Sequence, residues 1–166
     1  MKLNNPIIVF EKKLPGLSSR ALAGFLLKAR RAAGLRGAVS VLITGNSRMS
    51  QLNSRFRGKS RPTDVLSFPA AASANGFVGD IAISLDIGER NARLLGHSVN
   101  DEIRILILHG ILHLAGYDHE NDKGEMAKKE MLLRRRLALP TGLIERSDRS
   151  PARKKSTTRA IVRSSR

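Results

Sequence analysis

Hydrophobic and polar positions alternate with strand-like and helix-like periods along most of the chain. Short apolar runs rich in β-branched residues predict strands, and apolar residues that recur every three or four positions predict helices. The predicted strands cover Pro6–Phe10, Ala38–Thr44, the segment between Pro62 and Pro69, and Gly79–Leu85. The predicted helices run from Ser18 or Ser19 to Gly34, from Asn46 or Ser47 to Phe56, over Asp86–Leu95, from Ser98 to Gly116, and over Asp122–Leu139.

This order of elements predicts an α+β fold. The last two strands are joined by a loop of small residues with an Asn75-Gly76 turn signal, which predicts that they are antiparallel neighbours. A chain of 166 residues is long enough for one domain with a core and too short for two. We therefore predict a single domain over residues 1–143, with a small mixed sheet of about four strands packed by several helices. Residues 144–166 are predicted to form a basic, disordered tail.

The helix that follows Ser98 is predicted to be the buried centre of the domain. Ser98 and Asp101 resemble a capping box, and Asp101 and Glu102 suit the positive first turn of a helix. Apolar residues cover most of its circumference, which is typical of a buried helix. They are Ile103, Ile105, Leu106, Ile107, Leu108, Ile111 and Leu112. Such a helix is a rigid support for side chains near its end.

Three of the four histidines lie within eleven residues around the end of this helix. His109 and His113 are four residues apart and therefore share one face. Gly116 can adopt a positive φ and end the helix, so that the chain turns back and presents His119 to the other two. Three imidazoles with a fourth position open to water are typical of a catalytic zinc site. We predict one zinc ion with a zinc-bound water here; the alternative is ordinary hydrogen-bonded core histidines.

Zinc peptidases of the H-E-x-x-H type share the same pair of histidines. In those enzymes the residue after the first histidine is a glutamate that acts as general base. In this chain that residue is Gly110. The pattern therefore indicates the ligands of a hydrolytic metal site without the base of a peptidase.

The net charge of +16 and the sequence pI near 11.4 predict affinity for polyanions, of which nucleic acid is the usual one. The last 22 residues hold eight of the 30 basic side chains, so the rest of the chain is basic as well. Basic surfaces also keep proteins soluble without any partner. The chain has no apolar run long enough to span a membrane and no signal-peptide pattern at its start. The absence of cysteine favours a reducing cytoplasm.

Arg55–Arg61 is a dense basic segment around Gly58. Arginine can bind two phosphate oxygens at once, and glycine lets the backbone approach a phosphate closely. The segment is therefore predicted either to bind RNA phosphates or to be a solvated turn. The predicted RNA-binding side chains are Arg55, Arg57, Lys59 and Arg61.

Two blocks of the chain resemble the bacterial YbeY family of metal-dependent endoribonucleases. The first block is Leu52-Asn53 through Arg57-Gly58-Lys59 to Pro62-Thr63-Asp64-Val65-Leu66-Ser67-Phe68-Pro69. The second runs from His109-Gly110 to His119, and Gly79-Asp80-Ile81 between the blocks also fits the family pattern. The order and spacing of the predicted elements are similar to the family over about residues 5–140.

The resemblance implies an α+β domain with zinc at the three histidines. It implies cleavage of single-stranded RNA in 16S rRNA 3′-end maturation and late 70S ribosome quality control, with the small ribosomal subunit or its assembly proteins as partners. Arg57 falls on the family's functional arginine and is the expected catalytic residue. The general base is unassigned: Asp118 is either a base or a partner that orients a histidine, and either water or the RNA 2′-hydroxyl is the nucleophile. Tyr117 either packs or stacks on a base.

Two other function classes stay open on the sequence. A metal-dependent peptidase or other hydrolase would use the same three ligands, although Gly110 occupies the position of the peptidase base. A non-catalytic ribosome-assembly factor with a zinc site would keep the basic surface, although three ligands and an open position are unusual for a structural zinc.

Overall fold

The structure is a computed structural model that describes residues 6–71 and 76–140. The predicted tail over residues 144–166 lies outside these ranges. Within them the chain forms β1 (Ile7–Phe10), α1 (Ser19–Ala32), β2 (Ala38–Thr44), α2 (Asn46–Arg57), β3 (Val65–Pro69), β4 (Phe77–Ser84), α3 (Leu85–Leu95), α4 (Val99–Leu114) and α5 (Glu125–Arg136). The predicted order of strands and helices is confirmed.

The four strands of the described ranges form one mixed sheet in the order β1-β2-β4-β3. The pairs β1–β2 and β2–β4 are parallel, and β3 pairs with β4 in antiparallel register, so the predicted antiparallel neighbours are confirmed. β4 begins at Phe77, earlier than predicted, because Phe77 pairs with Ala38. The next pair is Val39 with Gly79, so Val78 is an extra residue that forms a bulge in β4. The α+β class and the four-stranded mixed sheet predicted from the sequence are both confirmed.

Helices cover both faces of the sheet. The larger core lies between one face of β2 and β4 and the helices α1 and α4, and the smaller one lies between the other face and α2. α1 buries residues at positions i, i+3, i+4 and i+7, the spacing of one helical face. These residues are Leu22, Phe25, Leu26 and Ala29.

α4 is the central helix, as predicted. Every residue from 105 to 112 is buried, and Ser98 caps the helix by accepting a hydrogen bond from the Asp101 N–H at 3.0 Å. Glu102 lies in the first turn as expected, but its side chain is fully buried, and its Oε2 lies 2.6 Å from Nε2 of His97. No helix of the described ranges combines the length and apolar character needed to cross a membrane.

The start and end of α2 differ from the prediction. Gly45 is the N-cap and offers no side chain, so neither Asn46 nor Ser47 caps the helix. The missing cap comes from α3, where Oδ2 of Asp86 accepts a hydrogen bond from the Asn46 N–H at 2.8 Å. At the other end the helix continues to Arg57, so that the first part of the predicted basic loop is helical.

α5 is shorter than predicted. The carboxylate of Asp122 accepts hydrogen bonds from the Gly124 and Met126 N–H groups, both at 2.7 Å, and the helix begins after this turn. Met126 and Leu133 are buried as predicted, whereas Met131 and Leu132 are 38% and 60% exposed. Glu130, a buried glutamate, occupies the inward position between Met126 and Leu133 instead.

Candidate metal centre

Three histidines converge at the C-terminal end of α4. The ring centroids of His109 and His113 lie 4.8 Å apart, and their Nε2 atoms are 3.1 Å apart. Gly116 adopts a φ of 94°, as predicted, and the chain turns back beyond it. The ring of His119 then lies 5.4 Å from His109 and 5.3 Å from His113. The three rings form a nearly equilateral triangle.

The donor atoms of this triangle fit a divalent metal ion. One nitrogen from each ring lies within 4.8 Å of the others. Nitrogens that share a tetrahedral zinc at its usual bond length are about 3.4 Å apart, close to the 3.1 Å between His109 and His113. Burial first, and then the neighbouring His109 and His119 rings, lower the pKa of His113 to about 4. His113 is therefore neutral at pH 7 and has a lone pair to donate.

Glu130 on α5 holds the first histidine in place. Its Oε2 lies 3.1 Å from Nδ1 of His109, and both side chains are buried. A carboxylate at Nδ1 fixes the tautomer and turns Nε2 toward the metal position, as is common for histidine ligands. Sequence reasoning missed this residue. The available signal was a charged residue at the inward position between Met126 and Leu133.

Gly110 packs the central helix against the sheet. A Cβ at this position would lie 2.8 to 3.1 Å from three side-chain atoms of Ile81 on β4. The carbonyl of Gly110 also accepts a hydrogen bond from the Ser67 hydroxyl at 3.2 Å. The position that a glutamate base occupies in zinc peptidases is therefore a close helix–sheet contact with no room for one.

A cavity of about 440 Å³ opens in front of the histidines. Arg57 and Lys59 line it, together with the amide of Asn91 and the carboxylates of Asp64 and Glu120. Of these five residues, only Arg57 and Lys59 were predicted from the sequence to be site residues. The cavity thus combines a candidate metal site with positive charge and with carboxylates that can accept a proton.

The predicted RNA-binding segment divides into two parts. Arg57, Lys59 and Arg61 line an adjoining cavity of about 290 Å³, whereas the guanidinium of Arg55 lies over the ring of Phe56, 5.5 Å from its centroid. The amide of Asn53 donates a hydrogen bond to the Arg61 carbonyl at 2.7 Å. The loop after α2 is therefore attached to the buried side of that helix.

Comparison with known proteins identifies the family. The family model described as Endoribonuclease YbeY matches residues 8–138, well over half of the chain. The chain belongs to this family. An endoribonuclease YbeY of Koribacter versatilis (strain Ellin345) is 55% identical over 148 residues, which cover 89% of this chain and 95% of that protein. One from Solibacter usitatus (strain Ellin6076) is 42% identical and covers 84% of this chain and 92% of its own length.

The fold also has a solved relative. The solution structure of TM1509 from Thermotoga maritima matches with a TM-score of 0.55 and 29% identity, and the match covers 90% of this chain and 99% of that one. The YbeY resemblance stated from the two sequence blocks is therefore confirmed by the family model and by the sequence identity with these relatives.

In this YbeY family member, Asp118 shapes the loop that bears the third histidine. Its carboxylate accepts hydrogen bonds from the Asn121 side chain and from the Glu120 N–H. These two bonds, the Asn121 bond first, hold the pKa of Asp118 below its usual value. Tyr117 is half-buried and packs against the main core, which favours the packing interpretation.

His97, the fourth histidine, lies outside the triangle. Its Nε2 lies 2.6 Å from Oε2 of Glu102, and the other carboxylate oxygen of Glu102 accepts a hydrogen bond from the Asn91 amide at 3.3 Å. Since Asn91 lines the metal cavity, this buried pair of His97 and Glu102 fixes one wall of the site.

Proposed function

We propose that the chain is a zinc-dependent endoribonuclease that cleaves single-stranded RNA. The observation that carries the proposal is the triangle of histidines at the wall of a cavity that Arg57 and Lys59 also line. Membership in the endoribonuclease YbeY family supports the same reaction. The Gly110 contact with Ile81 counts against a peptidase of the H-E-x-x-H type.

His109, His113 and His119 would hold the metal ion. A divalent ion bound there acts as a Lewis acid toward a phosphoryl oxygen or a water molecule. Arg57 binds the scissile phosphate and stabilises the negative charge that develops on it. Lys59 and Arg61 bind neighbouring phosphates, and Arg55 contributes at the outer edge of the same surface.

Asp64 is the proposed general base. Its Oδ1 accepts hydrogen bonds from the Val65 N–H at 2.9 Å and the Thr63 hydroxyl at 3.2 Å, so the carboxylate is held at the start of β3. Glu120 also lines the cavity but is exposed on a loop. A base must be held within reach of the proton it takes, which favours Asp64. Asp64 accepts the proton of the attacking nucleophile, which is either a water molecule or the 2′-hydroxyl of the RNA.

Membership in the endoribonuclease YbeY family also supports a biological role in rRNA processing. We assign to the protein the maturation of the 16S rRNA 3′ end and late 70S ribosome quality control, with the small ribosomal subunit or its assembly proteins as partners. A cytoplasmic location agrees with this role and stays a prediction. The division into a YbeY-like domain over residues 1–143 and a basic tail over 144–166 also stays a prediction. Such a tail would add sequence-independent affinity for RNA.

The proposal is tested by metal content and cleavage together. The purified protein is analysed for zinc and incubated with a single-stranded 16S rRNA 3′ fragment, with and without a chelator. Near-stoichiometric zinc and cleavage that the chelator abolishes are expected. Zinc without cleavage would instead favour a non-catalytic assembly factor, and cleavage that survives complete metal removal would refute the zinc mechanism.

A further inference from the structure

A second basic cavity lies away from the histidines, between α1, α4 and the end of α5. Two adjoining cavities of about 370 and 320 Å³ share Lys28, Arg136 and Leu137 as lining residues. Arg104 of α4 lines the larger one and is five residues before His109, which places it about 140° around the helix. We call these two cavities the α1–α5 groove.

One face of α1 forms a basic wall of the groove. Arg20, Gly24, Lys28 and Arg31 follow each other at spacings of four, four and three residues and therefore lie along one stripe. Eleven residues of helix separate the ends of this stripe, which corresponds to about 16 Å. α1 contains no acidic residue, so nothing on this helix offsets the stripe's charge.

The opposite wall adds two more cations. The guanidinium of Arg104 lies over the ring of Phe25, 5.6 Å from its centroid, which holds it beside the stripe. Arg136, in the last turn of α5, lines both cavities. The groove thus collects positive charge from three separate helices.

The structure does not neutralise this charge internally. Among the described residues, none of the five groove cations takes part in a salt bridge; they are Arg20, Lys28, Arg31, Arg104 and Arg136. The buried Nε of Arg104 also has no hydrogen-bond acceptor in the same ranges. Cations gathered without counter-charges repel one another, and an anion bound between them removes that repulsion.

We propose that the α1–α5 groove binds the phosphodiester backbone of an RNA strand at a distance from the cleavage site. A row of cations about 16 Å long fits a repeating polyanion rather than a single phosphate, and a charged groove of this kind follows an RNA backbone without reading its bases. A long RNA then contacts the protein at both the metal cavity and the groove. The inference rests on the proposed function in taking RNA as the partner.

Gly24 gives access to the groove without disturbing its cations. A Cβ at this position would meet no atom within 4 Å, and its φ is not in the left-handed region. A side chain introduced there extends into open space on a helix that tolerates it better than glycine. Gly24→Glu therefore places a carboxylate among the phosphate-binding groups, and Gly24→Gln is a control of the same shape without the charge.

The first experiment measures binding of the full chain to labelled single-stranded RNAs of about 8 and about 30 nucleotides at several salt concentrations, by fluorescence anisotropy. Gly24→Glu is expected to weaken binding of the longer RNA on the order of tenfold, and Gly24→Gln to leave it unchanged. Circular dichroism and thermal unfolding check that both variants fold. Equal affinities of the two variants for the longer RNA would overturn the proposal.

The second experiment removes charge and compares salt slopes. Lys28→Gln with Arg136→Gln is expected to reduce the slope for the longer RNA by about 1.4, at roughly 0.7 for each lost contact with a single strand. Arg90→Gln with Arg93→Gln removes the same charge from the exposed surface of α3 and should leave the slope unchanged. An equal reduction by both pairs would mean that only the overall field of the protein acts, and would refute the groove.

The two proposals can fail separately. Groove variants should keep the zinc content and the cleavage rate of the short RNA at saturation, because they leave the metal cavity intact. Wild-type protein that binds RNA through the groove but cleaves none would contradict the proposed function alone. Normal cleavage with no difference between Gly24→Glu and Gly24→Gln in RNA binding would contradict the groove alone.

Discussion

The histidine triangle and the Arg55–Arg61 segment border the same cavity but are built differently. His109 extends from a helix that is buried on every side and is hydrogen-bonded by the buried Glu130. The basic segment begins in the exposed last turn of α2 and continues into a loop attached by Asn53. A metal site requires fixed ligand geometry, whereas phosphate binding tolerates mobile cations in solvent. Substitutions at the histidine triangle should therefore have large effects on zinc binding and cleavage together. Substitutions in the Arg55–Arg61 segment should have smaller effects that leave zinc binding unchanged.

The largest effect is expected from His113→Ala. This residue is only partly buried at the C-terminal end of α4, so the fold should survive while one of three ligands is lost. Zinc content should fall sharply, and cleavage should drop by more than about 10³-fold, because the metal reaction depends on the complete ligand set. Metal analysis, cleavage assays and thermal unfolding measure the three properties. Loss of the fold together with zinc would indicate a structural metal instead.

Asp64→Asn should come next. The amide is similar in shape but cannot take a proton, so cleavage should fall by about 10²- to 10⁴-fold while zinc content stays unchanged. Glu120→Gln, at the other carboxylate that lines the cavity, is the matched control and should have a smaller effect. A larger loss for Glu120→Gln in single-turnover cleavage would transfer the base role to that residue.

Arg57→Ala and Arg55→Ala compare two arginines of the same helical turn. Arg57 lines the metal cavity and Arg55 stacks on Phe56, so we expect a loss of about 10²- to 10³-fold for the first and a few-fold weakening of RNA binding for the second. Neither change should alter zinc content. Zinc loss in Arg57→Ala would rule out a role limited to phosphate contact.

Glu130→Gln tests whether the metal site depends on its buried support. The amide keeps a hydrogen-bonding partner near Nδ1 of His109 but loses the charge, so zinc affinity should fall by about 10- to 100-fold. Competition with a zinc-sensitive chelator dye measures this. Lys129→Gln, a neighbouring change of charge outside the contact with His109, should leave the affinity unchanged. An unaltered affinity in Glu130→Gln would mean that the helix alone fixes the ligand geometry.

Asp86→Asn should have the smallest effect, on the attachment of α2. Its hydrogen bonds from Lys12 and the Asn46 N–H lower the pKa of Asp86 in the folded state. Its contribution is therefore present above the unfolded pKa of about 3.9 and is lost as the pH falls through the lower folded value. The variant should lose about 1 kcal/mol of stability at neutral pH, as for other lost helix caps. Denaturant unfolding at pH 7 and pH 3 should show a smaller difference at the lower pH.

Local patterns were enough to predict much of the fold and the central cluster. The apolar periods located all four described strands and five described helices, because burial imposes those periods on the sequence. The spacing of His109 and His113 and the glycine at 116 were enough to predict that the rings converge, since both are properties of a single helix and its end. The YbeY resemblance rested on the same local blocks.

Contacts between distant segments were not predictable in this way. Asp64 at the start of β3 and Asn91 on α3 reach the cavity only after the sheet and helices pack. Glu130 on α5 reaches Nδ1 of His109 for the same reason. The prediction that Asn46 or Ser47 caps α2 was wrong for the same reason, because the Asn46 N–H donates its hydrogen bond to Asp86 on α3. The inward assignment of Met131 and Leu132 failed because a buried glutamate can replace an apolar residue when it has a histidine partner.

The sequence by itself determined the elements, the central buried helix, the convergence of three histidines and the basic character of the surface. These follow from periodicity, a helix stop and charge, which act over a few residues. The tertiary structure decided which carboxylates surround the metal position, why Gly110 excludes a glutamate, and how three helices gather cations in the α1–α5 groove. Hydrogen bonding, steric contact and Coulomb interactions between those groups depend on distances that only packing of the whole domain creates.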